Sequence, residues 1–159
     1  MEKAATIVVS LKVEIDAPAI VSWAVLTDLQ RYREWNSFCP GIESSLKVGD
    51  PVVMTVKAPN SDELSTATEY LVEIEAPRRL CWEARMPDGT VIARRDQYVD
   101  ALSATRSSYF TTDVFFGPGA DALMDQIGVW AKAGFDDVAR GLKRQAEAVH
   151  HANRSAGER

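Results

Sequence analysis

The chain has 159 residues, 46% of them hydrophobic and 26% charged, with a formal net charge of −5. That length suits one domain with its own core. The acidic balance argues against a nucleic-acid surface, which needs a basic face, and no apolar run of about 18 residues exists to span a bilayer.

Ile7, Val9, Leu11, Val13 and Ile15 alternate with polar neighbours and predict one half-buried strand over 7–15, not a signal peptide. Pro18 suits a first helical position, and Ala19 to Leu26 reads as a short helix. Thr27-Asp28 can cap a second short helix over 29–35, which Pro40-Gly41 closes off. Strands are then expected over 43–47, 52–57, 65–75, 79–86, 90–101 and 106–116, with Gly-, Pro- and Asp-containing turns between them. After Gly117-Pro118-Gly119, the stripe Leu123, Ile127, Trp130, Gly134, Val138 and Leu142 predicts an amphipathic helix over 121–151. Residues 1–152 are expected to form one domain and 153–159 a flexible polar tail. The order gives an α+β architecture, with a seven-stranded antiparallel sheet covered by one long helix and two short helices after the first strand.

Residue usage removes several mechanisms. The two histidines, His150 and His151, are adjacent near the C-terminal end, so no imidazole stands in the body of the fold for a nucleophilic triad or a zinc site. Cys39 and Cys81 lack CxxC spacing and are expected as free thiols in a reducing cytoplasm. The stretch GPGADA (117–122) matches G-x-G-x-x-A, but no strand follows its helix, so it is not read as a dinucleotide fingerprint.

Three stretches carry a family resemblance: VEIDAPAIVSWAVLTDLQRYREWNSF (13–38), LCWEA (80–84) and WAKAGFDDVARGLKRQAEA (130–148). Together with the element order they resemble the START/Bet v 1-like (SRPBCC) superfamily, in its polyketide cyclase/dehydratase and lipid-transport branch, over residues 5–148. The resemblance implies a helix-grip, in which the sheet wraps the long helix and leaves an apolar cavity. That fold hosts enzymes, carriers and interaction modules, so it leaves the cargo open.

Within that frame, Trp35 and Phe38 are expected at the mouth or wall of the cavity, and Trp82, Trp130 and Phe135 on inward faces, with plain core packing as the alternative for each. Parity in 90–101 favours Val91, Ala93, Val99 and Ala101 facing in, which brings Arg95 and Gln97 with them, because the other register would bury Arg94, Asp96 and Asp100. The strand over 106–116 is open. Its face with Phe110, Thr112, Val114 and Phe116 is more apolar, whereas the resemblance turns Tyr109 inward. With Tyr109 in, the cavity would hold Arg95, Gln97, Tyr109, Thr111, Asp113, Thr66, Thr68 and Tyr70. A buried arginine needs a partner, and Asp113 is expected to supply it. Arg95 would then hold a carbonyl or enolate oxygen, and Tyr70 or Tyr109 would donate a proton. The leading expectation is a cofactor-free and metal-free cyclase or dehydratase acting on an aromatic or β-keto molecule. A passive carrier or sensor of a hydrophobic molecule or lipid is the alternative, and a surface interaction module the third. Homodimerisation is left open.

Overall fold

The computed structural model describes residues 6–59 and 61–157. The expected first strand is two strands, β1 (Thr6–Val9) and β2 (Val13–Ile15), both antiparallel to the last strand, β8 (Ser107–Phe115). The chain breaks at Ser10, whose hydroxyl accepts from the Thr111 N–H at 3.0 Å. The Leu11 N–H leaves the sheet and donates to Asp136 Oδ1 at 2.7 Å on the C-terminal helix. This break shifts the parity. Val8 and Ser10 face in with Val13 and Ile15, while Ile7 and Val9 are exposed.

Helix α1 (Ala19–Thr27) follows, but the second expected helix is a 3₁₀ turn, Leu29–Glu34, held where the Tyr32 hydroxyl donates to the Leu26 carbonyl. Strands β3 (Gly41–Ser44), β4 (Pro51–Lys57), β5 (Leu64–Glu75), β6 (Arg79–Arg85) and β7 (Val91–Ala101) complete the sheet. It has eight strands in the order β1-β8-β7-β6-β5-β4-β3, with β2 also on β8. Helix α2 (Ala120–Gly157) buries Ala131, Phe135, Val138, Leu142 and Ala146. It continues past residue 151 into the segment expected to fray, because nothing before Gly157 breaks a helix there. Among the described residues no helix is long and apolar enough to cross a membrane.

The β7 register is the expected one, with Ala93, Arg95, Gln97 and Val99 buried. On β8 the less apolar face turns inward, with Ser107, Tyr109, Thr111 and Phe115 buried. The outward aromatics are covered by other means. Phe110 stacks on Tyr98 with centroids 4.7 Å apart, Lys12 Nζ lies 5.6 Å over Phe110, and the Arg79 guanidinium lies 5.7 Å over Tyr98. Cation–π contacts and lysine and arginine stems thus shield these rings from water.

Two glycines, two turns apart on the buried side of α2, fix how the segment between the 3₁₀ turn and β3 docks. A Cβ at Gly134 would stand 2.1 Å from the Phe38 ring, and one at Gly141 would stand 2.3 Å from the Trp35 carbonyl oxygen. Asn36 turns that segment by accepting from the Cys39 N–H at 2.8 Å. A prediction follows for Gly141→Ala. Alanine gains about 1 kcal/mol over glycine in a helix interior, but the backbone clash costs more, so urea unfolding is expected to show a net loss of about 2 kcal/mol. A stabilised variant would contradict the close approach.

Candidate functional site

A cavity of about 250 Å³ lies between α2 and the sheet and opens to solvent on the β5 side, where its lining residues Ser65 and Ala67 are exposed. It exists because small residues meet there. Ala84 pairs with Ala93 across β6 and β7, and Ala67 and Ala131 face the same space. Larger aliphatic residues at these positions would fill it to the density of an ordinary core. Its aromatic wall is Phe38, Trp130, Phe135 and Phe115, and its aliphatic wall includes Met54, Val56, Leu123 and Ile127. Phe38 packs on Trp130 and Phe135 with centroid separations of 5.0 and 5.8 Å. Trp130 Nε1 donates to the Lys57 carbonyl at 3.1 Å, tying α2 to the end of β4. Phe38 and Trp130 also line a shallower outer hollow beside Lys57 and Asp62, so they stand between the cavity and solvent.

The polar groups on the wall are Arg95, Asp113, Glu69, Ser65 and the Cys39 thiol. Arg95 is 7% exposed. Its guanidinium carbon lies 4.4 Å from the Phe135 centroid and 5.6 Å from that of Trp82. Nε donates to Thr111 Oγ1 at 3.1 Å, and Nη2 makes a long contact of 3.4 Å to Gln97 Oε1. Thr111 is itself fixed by donating to the Asp96 carbonyl at 2.7 Å, and Gln97 Oε1 also accepts from the Tyr109 hydroxyl at 2.6 Å. The Tyr109 hydroxyl also lies against the guanidinium, and Nη1 meets no acceptor in a hydrogen bond among the described residues.

The expected Arg95–Asp113 ion pair is not formed. The two are cross-strand partners on β7 and β8, but the guanidinium turns along its own strand to Gln97 and to Thr111. Asp113 Oδ1 is buried and meets no hydrogen-bond donor among the described residues. Burial, with the charge of Glu69 second, pushes the Asp113 carboxyl up to about 7 against the pull of Arg95. Burial also raises Glu69, again opposed by Arg95. The Cys39 thiol is raised to about 11 by burial and stays protonated. Among the described residues no three or more His, Cys, Asp or Glu side chains converge as metal ligands.

The structure sorts the expected site residues into three groups. Arg95, Asp113, Phe38, Trp130 and Phe135 are on the cavity wall. Trp82, Gln97, Tyr109 and Thr111 point inward but stand behind the wall, where they hold or underlie Arg95. Tyr109 is fully buried, with its hydroxyl committed to Gln97 and its ionisation pushed up by burial, so it is not placed to give a proton to a ligand. Thr68, Tyr70 and Trp35 lie off the cavity. Thr68 is exposed, Tyr70 carries the Arg85 guanidinium 4.8 Å over its outer ring face, and Trp35 packs edge-on to Tyr32 at 4.8 Å and against Gly141. For Thr68 and Tyr70 the cause is a bulge between Leu71 and Glu73. Before it Ser65, Ala67, Glu69 and Leu71 face in, and after it Ile74 packs on the core, so one alternation cannot run through the strand. Glu69 is the site residue that alternation misses. Its signal is the spacing of Leu71 and Ile74, two core residues three apart in one strand.

These carboxyls make stability depend on pH in a stated direction. An Asp113 raised in the folded state binds its proton more tightly than the unfolded chain does, so stability falls as pH rises from the ordinary carboxylate value, about 4, through about 7. Asp113→Asn is therefore expected to raise the Tm at about pH 8 and to raise it much less at about pH 4. An equal effect at both would refute the buried proton.

Residues 6–147 match the family described as polyketide cyclase / dehydrase and lipid transport. Among solved structures, the Zhui aromatase/cyclase from Streptomyces sp. R1128 aligns with a TM-score of 0.71 at 17% identity, over 91% of this chain and 94% of that one. A START superfamily protein from Mycobacterium smegmatis aligns with a TM-score of 0.66 at 12% identity, over 92% and 99%. A Thalictrum norcoclaurine synthase aligns with a TM-score of 0.60 at 12% identity, over 91% and 97%. No curated protein sequence matches the chain. At such identities the structures establish the helix-grip fold, and the family match, spanning most of the chain, decides membership: the protein belongs to the polyketide cyclase / dehydrase and lipid transport family.

Proposed function

We propose that the protein is an acid–base lyase of the cyclase/dehydratase kind, acting on an aromatic or β-keto molecule held in the cavity. The observation that carries this reading is Arg95, a buried guanidinium that faces an apolar cavity without a carboxylate partner and with Nη1 uncommitted. A ring system would lie among Phe38, Trp130 and Phe135, and its carbonyl oxygen would accept from Nη1. When a proton leaves the carbon beside that carbonyl, negative charge builds on the oxygen, where a fixed donor in a dry site stabilises it most. Asp113, which keeps its proton up to about pH 7, would pass it to the departing hydroxyl and release water. Cyclisation would use the same enolate as its nucleophile. Thr111, Gln97 and Tyr109 are positioning residues in this scheme, since they orient Arg95 and do not touch the ligand.

The family description and the fold shared with an aromatase/cyclase support the reading. The same description includes lipid transport, and the wall is mostly apolar, which favours a carrier as the second reading. The test uses an aryl β-hydroxyketone, whose dehydration to the enone is followed by ultraviolet absorbance. Arg95→Ala is expected to lower kcat by roughly 10²–10³-fold while KM changes much less. A wild-type protein that binds the ketone and releases it unchanged would make it a carrier, and an Arg95→Ala variant with unaltered kcat would remove Arg95 from the chemistry.

A further inference from the structure

We infer that Glu69 is the second carboxyl of the reaction, the base that takes the proton from carbon while Asp113 supplies the acid. The inference rests on the carbonyl–enolate reading above and adds the group that reading lacks. Glu69 stands on β5 and Asp113 on β8, with β6 and β7 between them, so the two carboxyls reach the cavity from different walls with Arg95 of β7 between. A dehydration needs that arrangement: a base at one carbon, an acid at the hydroxyl of the next, and a donor at the carbonyl oxygen.

Charge decides which carboxyl has which role. One guanidinium can balance one carboxylate, and among the described residues the cavity wall carries no other cation. The other charged or titratable neighbours do not alter this balance. Cys39 keeps its proton, α2 brings no charged side chain to the wall among the described residues, and Asp96 on the outer face only raises Asp113 further. Two carboxylates facing one Arg leave one uncompensated negative charge, so one carboxyl keeps a proton. Asp113 Oδ1 is buried with no donor among the described residues, which favours its neutral form, whereas neither Glu69 oxygen is left in that state, and the negative charge of Glu69 raises Asp113 further. Glu69 therefore ionises first and Asp113 holds the proton. In turnover Glu69 gains the proton from carbon and Asp113 loses one to the leaving hydroxyl. Water departs, and a proton returning from Glu69 to Asp113 through solvent restores the pair, with no redox partner needed.

The experiment measures two quantities on the intact protein and on Glu69→Gln. The first is the pH dependence of kcat for the aryl β-hydroxyketone. The wild type is expected to give a bell that rises as Glu69 ionises and falls as Asp113 loses its proton near about pH 7. Glu69→Gln is expected to lose about 10²-fold or more in kcat, together with the acidic limb. The second is the Asp113 titration midpoint, read by carbon NMR of labelled aspartate carboxyls, which should fall in Glu69→Gln because a neighbouring negative charge is gone. A Glu69→Gln protein with the wild-type rate and bell would overturn the role of Glu69 and leave the enolate reading standing. An unmoved Asp113 midpoint would overturn the coupling of the pair. A wild-type protein that never turns the ketone over would remove the reaction, and the catalytic role of Glu69 with it, even if the midpoint moved.

Discussion

The guanidinium of Arg95 sits between the rings of Phe135 and Trp82, and much of the interior follows from keeping that charge away from water. An isolated charge in an apolar core is expensive, and the usual remedy is a carboxylate. Here the remedy is divided. The cation lies over the rings of Phe135 and Trp82, Thr111 and Gln97 accept from its Nε and Nη2, and Tyr109 fixes Gln97. Because none of these is an anion, Arg95 retains much of its capacity to stabilise a charge that arrives later. The carboxyls that could have quenched it, Asp113 and Glu69, line the same cavity, but neither makes an ion pair with Arg95 among the described residues, and burial raises both. The site is thus poised by what is not paired within it.

The rest of the molecule holds that arrangement open. Alanines at 67, 84, 93 and 131 leave the volume. The glycines of α2 let the chain after the 3₁₀ turn lie flat on the helix, which seats Phe38 against Gly134 and Trp35 against Gly141. A buried aromatic side chain contributes roughly 1.5–3 kcal/mol by the area it removes from water, so this seam supports the fold while Phe38 also forms the cavity wall. The kink at Ser10 has a matching part on the other side, where it frees Leu11 to bind Asp136 and ties β1 and β2 to the helix. Stability and site share the same residues, and the cavity is a local exception to close packing in a core that is otherwise filled.

Periodicity made the element order readable, and with it the helix-grip. Each place where it misled has a physical cause. Alternation continues on paper through Ser10 and through Leu71–Glu73, but a kink in one case and a bulge in the other exchange the faces, which left Ile7 and Val9 outside and moved Tyr70 and Thr68 off the cavity. On β8 the apolar row faces out and the more polar row faces in, because the inward row builds the site. A strand whose inward row must carry polar groups is where the hydrophobic rule is expected to fail. Arg95 was legible since the opposite register would bury several charges on one strand. Its partners were not, because cross-strand pairing with Asp113 fixes the backbone register and leaves the side-chain torsions free. Glu69 was hidden by the bulge alone.

In the proposed reaction Arg95 is free to hold an oxyanion inside the cavity. A crystal structure with a bound aryl β-diketone, a stable carrier of the enol geometry, tests it most directly. The ligand ring is expected among Phe38, Trp130 and Phe135, with one enol oxygen within hydrogen-bond distance of Arg95 Nη1 and Arg95 still bound to Thr111. A structure in which Arg95 has swung into an ion pair with Asp113 while the diketone lies outside the cavity would contradict it.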